Sequence, residues 1–423
     1  MKVMVLGKGG RESAIVWKLS MSSYIDELYA VPGNPGTKKY AHNIQLNLED
    51  FKTLAEFVKE NKIEMVIPGP EAPIANGIKD YIEKKTGAYV FSPSSKSSFL
   101  EASKIKAKQF MKRNNVPTAD FRIIESYEEG VNYLNLIEKY PVVIKADGLA
   151  QGKGVSIAQS HIEAVSILEE YIKGRKFGEA STRVVIEEFL TGYEYSVFII
   201  TDGRDYIWIG DACDYKRAFD GDRGPNTGGM GSVSPAPFLD SGKRKITEDE
   251  IIKPTLEGLI KEVIPYEGFL YFGLIWTEDG PKVLEYNVRL GDPEAQVILP
   301  RLKNDLMDLI IAAKERRLNQ VMVEISKEVC MCLVVASGGY PVEYEKGKEI
   351  KGLEKLSHQV ILFHAGTEER ENKIYTAGGR VLNLVAMGKD FENVRRHIYR
   401  EVEKIHFENI FYRRDIGLME RWR

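Results

Sequence analysis

The chain has 423 residues, more than one ordinary core can organise, so two to four domains are expected. With 43% hydrophobic and 29% charged residues it is globular rather than disordered, and a net charge of −3 supplies no overall field to recruit nucleic acid. The three cysteines, Cys213, Cys330 and Cys332, form no disulfide framework and fit a reducing compartment.

Residues 1–101 read as an α/β unit. Val3–Leu6 is a short apolar strand, followed by the turn Gly7-Lys8-Gly9-Gly10 and an amphipathic helix carrying Ala14, Ile15, Trp17 and Leu19. The opening run is too short for a signal peptide, and no segment approaches the ~20 apolar residues of a membrane span, so a cytoplasmic location without membrane or nucleic-acid partners is expected. Glycines opening a helix suit an anion held by backbone N–H groups. A dinucleotide is not expected: position 12 is glutamate where G-x-G-x-x-G wants glycine, and the second strand ends in Val31-Pro32-Gly33 without an acid. A helical pattern over Phe51–Asn61 and a strand with its turn over Ile63–Pro73 continue the alternation of a parallel sheet.

A helix over Lys104–Asn114 opens the next part. Within the run Val142–Val155, Lys145 ends a strongly β-forming stretch, and a loop with Gly148, Gly152, Lys153 and Gly154 follows. Such a loop can fold over a triphosphate, although the Walker spacing is missing because no Ser or Thr follows Lys153. A helix is expected over Ile162–Lys173. The next strand sets Glu187 and Glu188 side by side before Phe189 and Leu190, with Glu194 further on. Its backbone could read an adenine edge and Glu194 could accept from ribose hydroxyls; a solvated edge strand would carry the same residues.

Residues 190–325 read as strands, Gly-rich loops and a final helix over Leu306–Lys314. Asp214–Pro237 is expected to be a long functional loop without regular structure. In Pro281–Gln296, alternation puts Glu285, Asn287 and Arg289 on one strand face and Leu284, Tyr286 and Val288 on the other. Two oxygen donors at i, i+2 can reach one hard cation such as Mg²⁺, with phosphates and water completing its shell. Arg289 beside them could neutralise a phosphate or clamp a carboxylate. The last hundred residues read as a separate β-rich unit, with Cys330-Met331-Cys332 inside a strand rather than at a metal. Six histidines make neither H-E-x-x-H nor a zinc set, no G-x-S-x-G elbow occurs, and no basic run is interleaved with aromatics.

In this order the pieces resemble the ATP-grasp superfamily and, within it, the phosphoribosylamine–glycine ligases (glycinamide ribonucleotide synthetases) of purine biosynthesis. The likeness spans essentially the whole chain. GGRE, PGNPGT, GPEAPI, YPVVIKADGLAQGKGV, VIEEFLTGYE and YRRDIG carry it, and GPNTGGMG together with NVRLGDPEAQ makes it specific. It implies a multidomain α/β and α+β fold: an N-terminal parallel-sheet α/β domain (1–101), an ATP-grasp domain (102–325) with an inserted lid (about 118–188), and a small C-terminal mixed β domain (326–423). It implies a monomeric C–N ligase that turns ATP, glycine and 5-phosphoribosylamine into glycinamide ribonucleotide, ADP and phosphate through glycyl phosphate, with Mg²⁺ or Mn²⁺.

On this likeness Lys104 and Lys145 contact the ATP phosphates, Lys145 also lying near adenine, and Gly148, Gly152, Lys153 and Gly154 close over them. Glu187, Glu188, Phe189 and Leu190 present the adenine hinge, Glu194 holds the ribose, and Glu285 and Asn287 ligate the metal. Gly9 and Gly10 line the ribosylamine phosphate side, with Pro225, Asn226, Thr227, Gly228, Gly229 and Met230 nearby. Arg289, Asp292, Asp214 and Lys216 form the catalytic set, with Arg289 or Asp292 meeting glycine. The chain departs from the pattern at Ser13, where similar enzymes commonly have His, and at Cys213 and Tyr215 where Gln and His are common. Two other readings share these motifs: a different ATP-grasp carboxylate–amine ligase, biotin-carboxylase-like enzymes included, and a nucleotide-binding protein without ligase activity. Intact Glu285, Asn287 and Arg289 speak against the second.

Overall fold

The computed structural model describes residues 1–149 and 154–422, so Gly152 and Lys153 lie outside the described residues. The N-terminal part runs β1 (Lys2–Gly7), α1 (Gly10–Leu19), β2 (Glu27–Pro32), β3 (His42–Asn43), α2 (Phe51–Glu60), β4 (Met65–Pro68), α3 (Glu71–Ala75), α4 (Ile78–Thr86), β5 (Tyr89–Val90) and α5 (Phe99–Ala102). Its strands form a five-stranded sheet in the order β3-β2-β1-β4-β5, parallel throughout. Val3–Leu6 and Met65–Ile67 are buried without alternation, as a parallel sheet covered on both faces requires.

Helix α6 (Lys104–Arg113) is capped by Ser103, whose Oγ accepts from Lys106 N. Asp147 of the glycine loop reinforces the cap: its Oδ1 accepts from Ile105 N at 3.0 Å and from Ser103 Oγ at 2.7 Å. A small subdomain follows, made of β6 (Phe121–Ile124), α7 (Tyr127–Leu134), β7 (Val142–Ala146), β8 (Val155–Ala158), α8 (His161–Leu168) and β9 (Val184–Glu188). Its sheet order is β6-β9-β7-β8, and Ile124, Leu134, Ile144, Leu168 and Ile186 give it a core of its own. This subdomain occupies the residues on which the lid was expected.

The largest sheet belongs to the rest of the chain: β10 (Tyr193–Thr201), β11 (Tyr206–Asp214), β12 (Arg217–Phe219), β13 (Arg223–Asn226), β14 (Gly231–Ser234), α9 (Ser241–Thr247), α10 (Lys253–Lys261), β15 (Gly268–Thr277), β16 (Gly280–Asn287), α11 (Ala295–Arg301), α12 (Leu306–Lys314), β17 (Val329–Ser337), β18 (Glu349–Ile350), β19 (Ile361–His364), β20 (Thr367–Arg370), β21 (Lys373–Thr376), β22 (Arg380–Gly388), α13 (Phe391–Val402) and β23 (Ile410–Phe411). Its path is β16-β15-β10-β11-β14-β17-β22-β19, so antiparallel pairing of β14 with β17 carries the sheet from the ATP-grasp strands into the C-terminal segment. Cys330 and Cys332 are buried within β17, as read.

Two expectations need correction. The long segment after Asp214 is not irregular: it holds the hairpin β12–β13 and strand β14, and the left-handed Gly221 (φ 70°) and Asp222 (φ 52°) make the reversal. Its glycines hid these short strands, whose pairing depends on partners elsewhere in the chain. The alternation through Arg289 also fails. In β16 Glu285 faces Gly273 and Val283 faces Leu274, so Leu284 bulges out; the strand ends at Asn287, leaving Arg289 in the following turn. Helices α9 and α10 had no counterpart in the sequence reading.

Candidate active site

Among the residues expected to meet nucleotide, Lys145 of β7 and Glu187 of β9 are diagonal neighbours, because Lys145 pairs with Val185 in the register. Lys145 Nζ lies 2.9 Å from Glu187 Oε2 and donates to the Leu284 carbonyl at 3.1 Å. Lys108 Nζ of α6 also lies 2.9 Å from the same Glu187 oxygen. Burial alone would raise the Glu187 carboxyl; the two lysines outweigh it and hold it below the ordinary range. Lys104 Nζ donates to the Gly148 carbonyl at 3.2 Å, and the Gly154 carbonyl accepts from Ala146 N at 2.8 Å. Glu188 is exposed and accepts from Asp120 N at 2.9 Å. Phe189 is exposed and Leu190 half-buried just beyond the strand end, leaving their surface open to a ligand.

On β16, Glu285 and Asn287, the two expected metal donors, stay two residues apart after the bulge. The neighbours of Asn287 orient its amide so that the nitrogen donates to Glu101 Oε1 at 2.9 Å and to the Tyr286 carbonyl at 3.2 Å. Burial lowers the Lys104 pKa, and the Glu285 carboxylate is the strongest opposing influence, so these two side chains lie near one another. Among the described residues no group of three or more His, Cys, Asp or Glu side chains could hold a metal. One carboxylate and one amide oxygen fit Mg²⁺ completed by phosphate and water, and do not fit a fully protein-ligated ion.

Arg289 is held by carboxylates of the chain itself, with Nη2 2.8 Å from Glu101 Oε1 and Nε 3.4 Å from Glu71 Oε2. Burial raises the Glu101 pKa against the pull of Arg289. For Glu71, Arg289 and Arg11 together outweigh burial and lower it. Neither glutamate stood out in the sequence; both come from the N-terminal part and meet Arg289 only through the fold.

The head of α1 is also occupied. Gly9 N–H donates to Glu12 Oε2 at 2.6 Å, so the turn expected to meet a phosphate is capped by a carboxylate. Asp292 stands beside it, because a Cβ added at Gly9 would come 3.2 Å from Asp292 Oδ2. A side chain at Gly10 would collide with Gln296 and Asn383. The cation at this place is Arg380 of β22, which the sequence reading missed: Nη1 donates at 2.6 Å to both the Gly228 and Asp292 carbonyls, and Nη2 lies 3.3 Å from Asp292 Oδ2. Arg380 and Arg11 outweigh burial and hold the Asp292 pKa below its ordinary value.

Around Arg380 the predicted loop closes on itself. Thr227 N donates to the Lys216 carbonyl at 2.7 Å, and Gly229 N to Thr227 Oγ1 at 2.9 Å. Gly229, at φ 109°, packs so tightly on Pro293 that a Cβ there would clash. Pro225 is exposed and Asn226 half-buried, whereas Met230 is wholly buried and contributes through its backbone, donating to the Tyr215 carbonyl at 2.8 Å. The hairpin is tied to the C-terminus by Arg413, 1% exposed, 2.9 Å from Asp222 and 2.6 Å from Asp415.

Asp214 and Lys216 lie between these two sides. Lys216 Nζ is 2.6 Å from Glu194 Oε2 and 3.8 Å from Asp214 Oδ1. Burial works against its charge, but Asp214 and Glu194 together raise its pKa well above the ordinary value. Nearby, Glu294 heads α11, with Oε1 3.5 Å from Ser196 Oγ. Burial, aided by Asp214, pushes its carboxyl up to about 7. A raised folded pKa stabilises the protein fully below the unfolded value, near 4.3, and that contribution is lost as pH rises through about 7. Glu294→Gln should therefore be more stable than the parent at pH 8, by roughly 3–4 kcal/mol, and should match it more closely at pH 5. Thermal melts at the two pH values test this; an equal difference at both would refute it.

Family profiles cover the chain in three consecutive blocks. Residues 1–101 match the phosphoribosylglycinamide synthetase N domain, 102–295 its ATP-grasp (A) domain and 330–419 its C domain. The chain belongs to the phosphoribosylglycinamide synthetase family. A phosphoribosylamine–glycine ligase from Caldanaerobacter subterraneus subsp. tengcongensis is 46% identical over 417 residues, covering 99% of each chain. The crystal structure of the phosphoribosylamine–glycine ligase from Thermotoga maritima is similar with a TM-score of 0.87 and 38% identity, covering 98% of this chain and 100% of that one. The biotin carboxylase domain of the Hydrogenobacter thermophilus 2-oxoglutarate carboxylase shares the fold, with a TM-score of 0.75 and 18% identity over 97% of this chain and 91% of that one.

Within the phosphoribosylglycinamide synthetase frame the site draws on all three blocks: Gly9 and Glu71 from the first, Lys145, Glu285 and Asp292 from the second, Arg380 from the third. The ATP-grasp domain implies ATP binding, with Mg²⁺ its usual companion. No helix among the described residues is long and apolar enough to cross a membrane. The three departures from the family pattern are all buried. Ser13 Oγ donates to the His364 carbonyl at 2.6 Å and accepts from Asn34 Nδ2 at 2.8 Å. Cys213 lies in the core, and Tyr215 OH accepts from Gly417 N at 3.0 Å.

Proposed function

We propose that this chain joins glycine to 5-phosphoribosylamine with ATP, giving glycinamide ribonucleotide, ADP and phosphate. A glycine carboxylate oxygen attacks the γ-phosphorus and ADP leaves. The ribosylamine nitrogen then attacks the acyl carbon of glycyl phosphate, loses a proton, and inorganic phosphate departs. Phosphoryl transfer of this kind asks for positioning and charge neutralisation rather than a nucleophilic side chain.

In this reading Lys104 and Lys145 neutralise the triphosphate, Phe189 and Leu190 offer the adenine edge, and Glu194 accepts from the ribose. Glu285 and Asn287 would hold Mg²⁺, which when bound offsets charge on the phosphate oxygens. Arg289 orients the glycine carboxylate. Asp292, Asp214 and Lys216 face the amine and the departing phosphate, and Arg380 with Asn226–Gly228 lines the ribosylamine pocket beside Gly9 and Gly10. One observation carries the reading: the strand that bears Glu285 and Asn287, held by Lys145 at its Leu284 carbonyl, runs directly into the turn bearing Arg289 and Asp292, and Asp292 stands at the head of α1.

The test is ADP release from Mg·ATP, expected only when glycine and 5-phosphoribosylamine are both present. Equally fast release with an unrelated carboxylate or amine would favour another ATP-grasp ligase, and binding of ATP without any release would favour a nucleotide-binding protein.

A further inference from the structure

A closed ring of buried and part-buried polar contacts joins four parts of the fold beneath the nucleotide side. Lys108 of α6 and Lys145 of β7 share Glu187 Oε2, each at 2.9 Å. Lys108 Nζ also donates to Thr118 Oγ1 at 2.7 Å, and Thr118 Oγ1 donates to the Val283 carbonyl at 2.6 Å. Lys145 closes the ring on the next carbonyl, that of Leu284, at 3.1 Å. Thr118 lies on the segment leading into the lid and bridges to Val283, and Leu284 is the bulged residue immediately before Glu285. Lys108 and Glu187 are each 2% exposed, so no solvent can substitute for a lost partner.

Lys108 cannot meet a ligand from this depth. Its ammonium can act only through what it holds. Two cations on one carboxylate oxygen fix each other, because moving either one changes the charge balance at the shared atom. We propose that Lys108 is a positioning residue for nucleotide: through Glu187 it sets where the Lys145 ammonium stands, and through Thr118 it pins the strand step that presents Glu285. The proposal rests on the assignment of Lys145 to the ATP phosphates.

Mg·ATP binding, read by calorimetry without glycine or ribosylamine, tests it separately from the ligase reading. Lys108→Met should raise the Kd for Mg·ATP about tenfold, the loss of one charge-assisted hydrogen bond acting at a distance. Lys108→Arg should recover most of that loss. In the Glu187→Gln background, Lys108→Met should add less than about threefold, since both changes break the same ring. The glycine KM should stay within about twofold of the parent value, which general loosening of the fold would not allow. A Lys108→Met protein that melts cooperatively and binds Mg·ATP as the parent does overturns the proposal, as does a full tenfold effect retained in the Glu187→Gln background. Should Lys108→Met not fold, Thr118→Val replaces it: a rise of about threefold is expected, and unchanged binding overturns the proposal.

Discussion

Glu285→Ala is expected to lower ADP formation by about three orders of magnitude while leaving the fold intact. Glu285 supplies the only carboxylate of the two donors proposed for the metal, and Asn287 alone offers one neutral oxygen. Without the carboxylate, the charge on the transferring phosphoryl group is met by lysines only, and those lysines are already engaged: Lys104 with the Gly148 carbonyl and Lys145 with Glu187. The fold should not notice, because Glu285 is half-buried and lies over Gly273, where shortening the side chain leaves no pocket enclosed on all sides. A coupled ADP assay alongside far-UV circular dichroism and a thermal melt measures both halves. Turnover within about tenfold of the parent would remove Glu285 from the metal site.

Arg289→Met should act on stability and turnover together. Arg289 is the shared partner of Glu101 and Glu71, and removing one side of a buried ion cluster costs about 3–5 kcal/mol. The pH dependence gives the distinguishing sign. In the parent, Glu71 has a depressed pKa, so its contribution is present above the unfolded value near 4.3 and is lost as pH falls. In the variant the stronger of the two cations is gone, Arg11 alone opposes burial, and burial is the largest influence on both carboxyls, so their folded pKa values rise. Stability is then complete below about 4.3 and lost as pH rises. The variant should therefore melt higher at pH 5 than at pH 8, and its deficit against the parent should shrink on acidification. A deficit independent of pH would mean that the guanidinium contributes packing rather than charge. Turnover should vanish at either pH, since Asn287 loses its fixed neighbour when Glu101 is released.

Much of the site was legible from local chemistry. The lysine ending an apolar strand before a glycine loop, the E-x-N pair and the acid-rich turn after it are all chemically odd for their positions, and each falls at the candidate site. The reading failed where geometry depended on a partner strand. The period-2 alternation carried Arg289 onto a strand that in fact ends at Asn287, because the bulge at Leu284 is set by pairing with β15. Short strands in the segment after Asp214 were invisible because their glycines suppress the propensity signal, while β11, β17 and the C-terminal Arg413 hold them in place. Around Gly9 and Gly10, read as the phosphate side of a helix head, nothing local shows that Glu12 and Asp292 stand beside them.

Residue type and spacing along single strands and turns offered the chemistry at Lys145, Glu285 and Asn287, and the motifs in their chain order carried the resemblance that implied the ATP-grasp domains and the role of Asp292. Only the tertiary structure decided which distant groups surround them. Arg380 lies far along the chain from Asp292, Glu101 and Glu71 meet Arg289 from another domain, and Lys108 reaches Lys145 through a shared carboxylate. Burying a charge is tolerable only beside a partner. That partner need not be near in sequence, so the ion pairs that orient the site are properties of the fold.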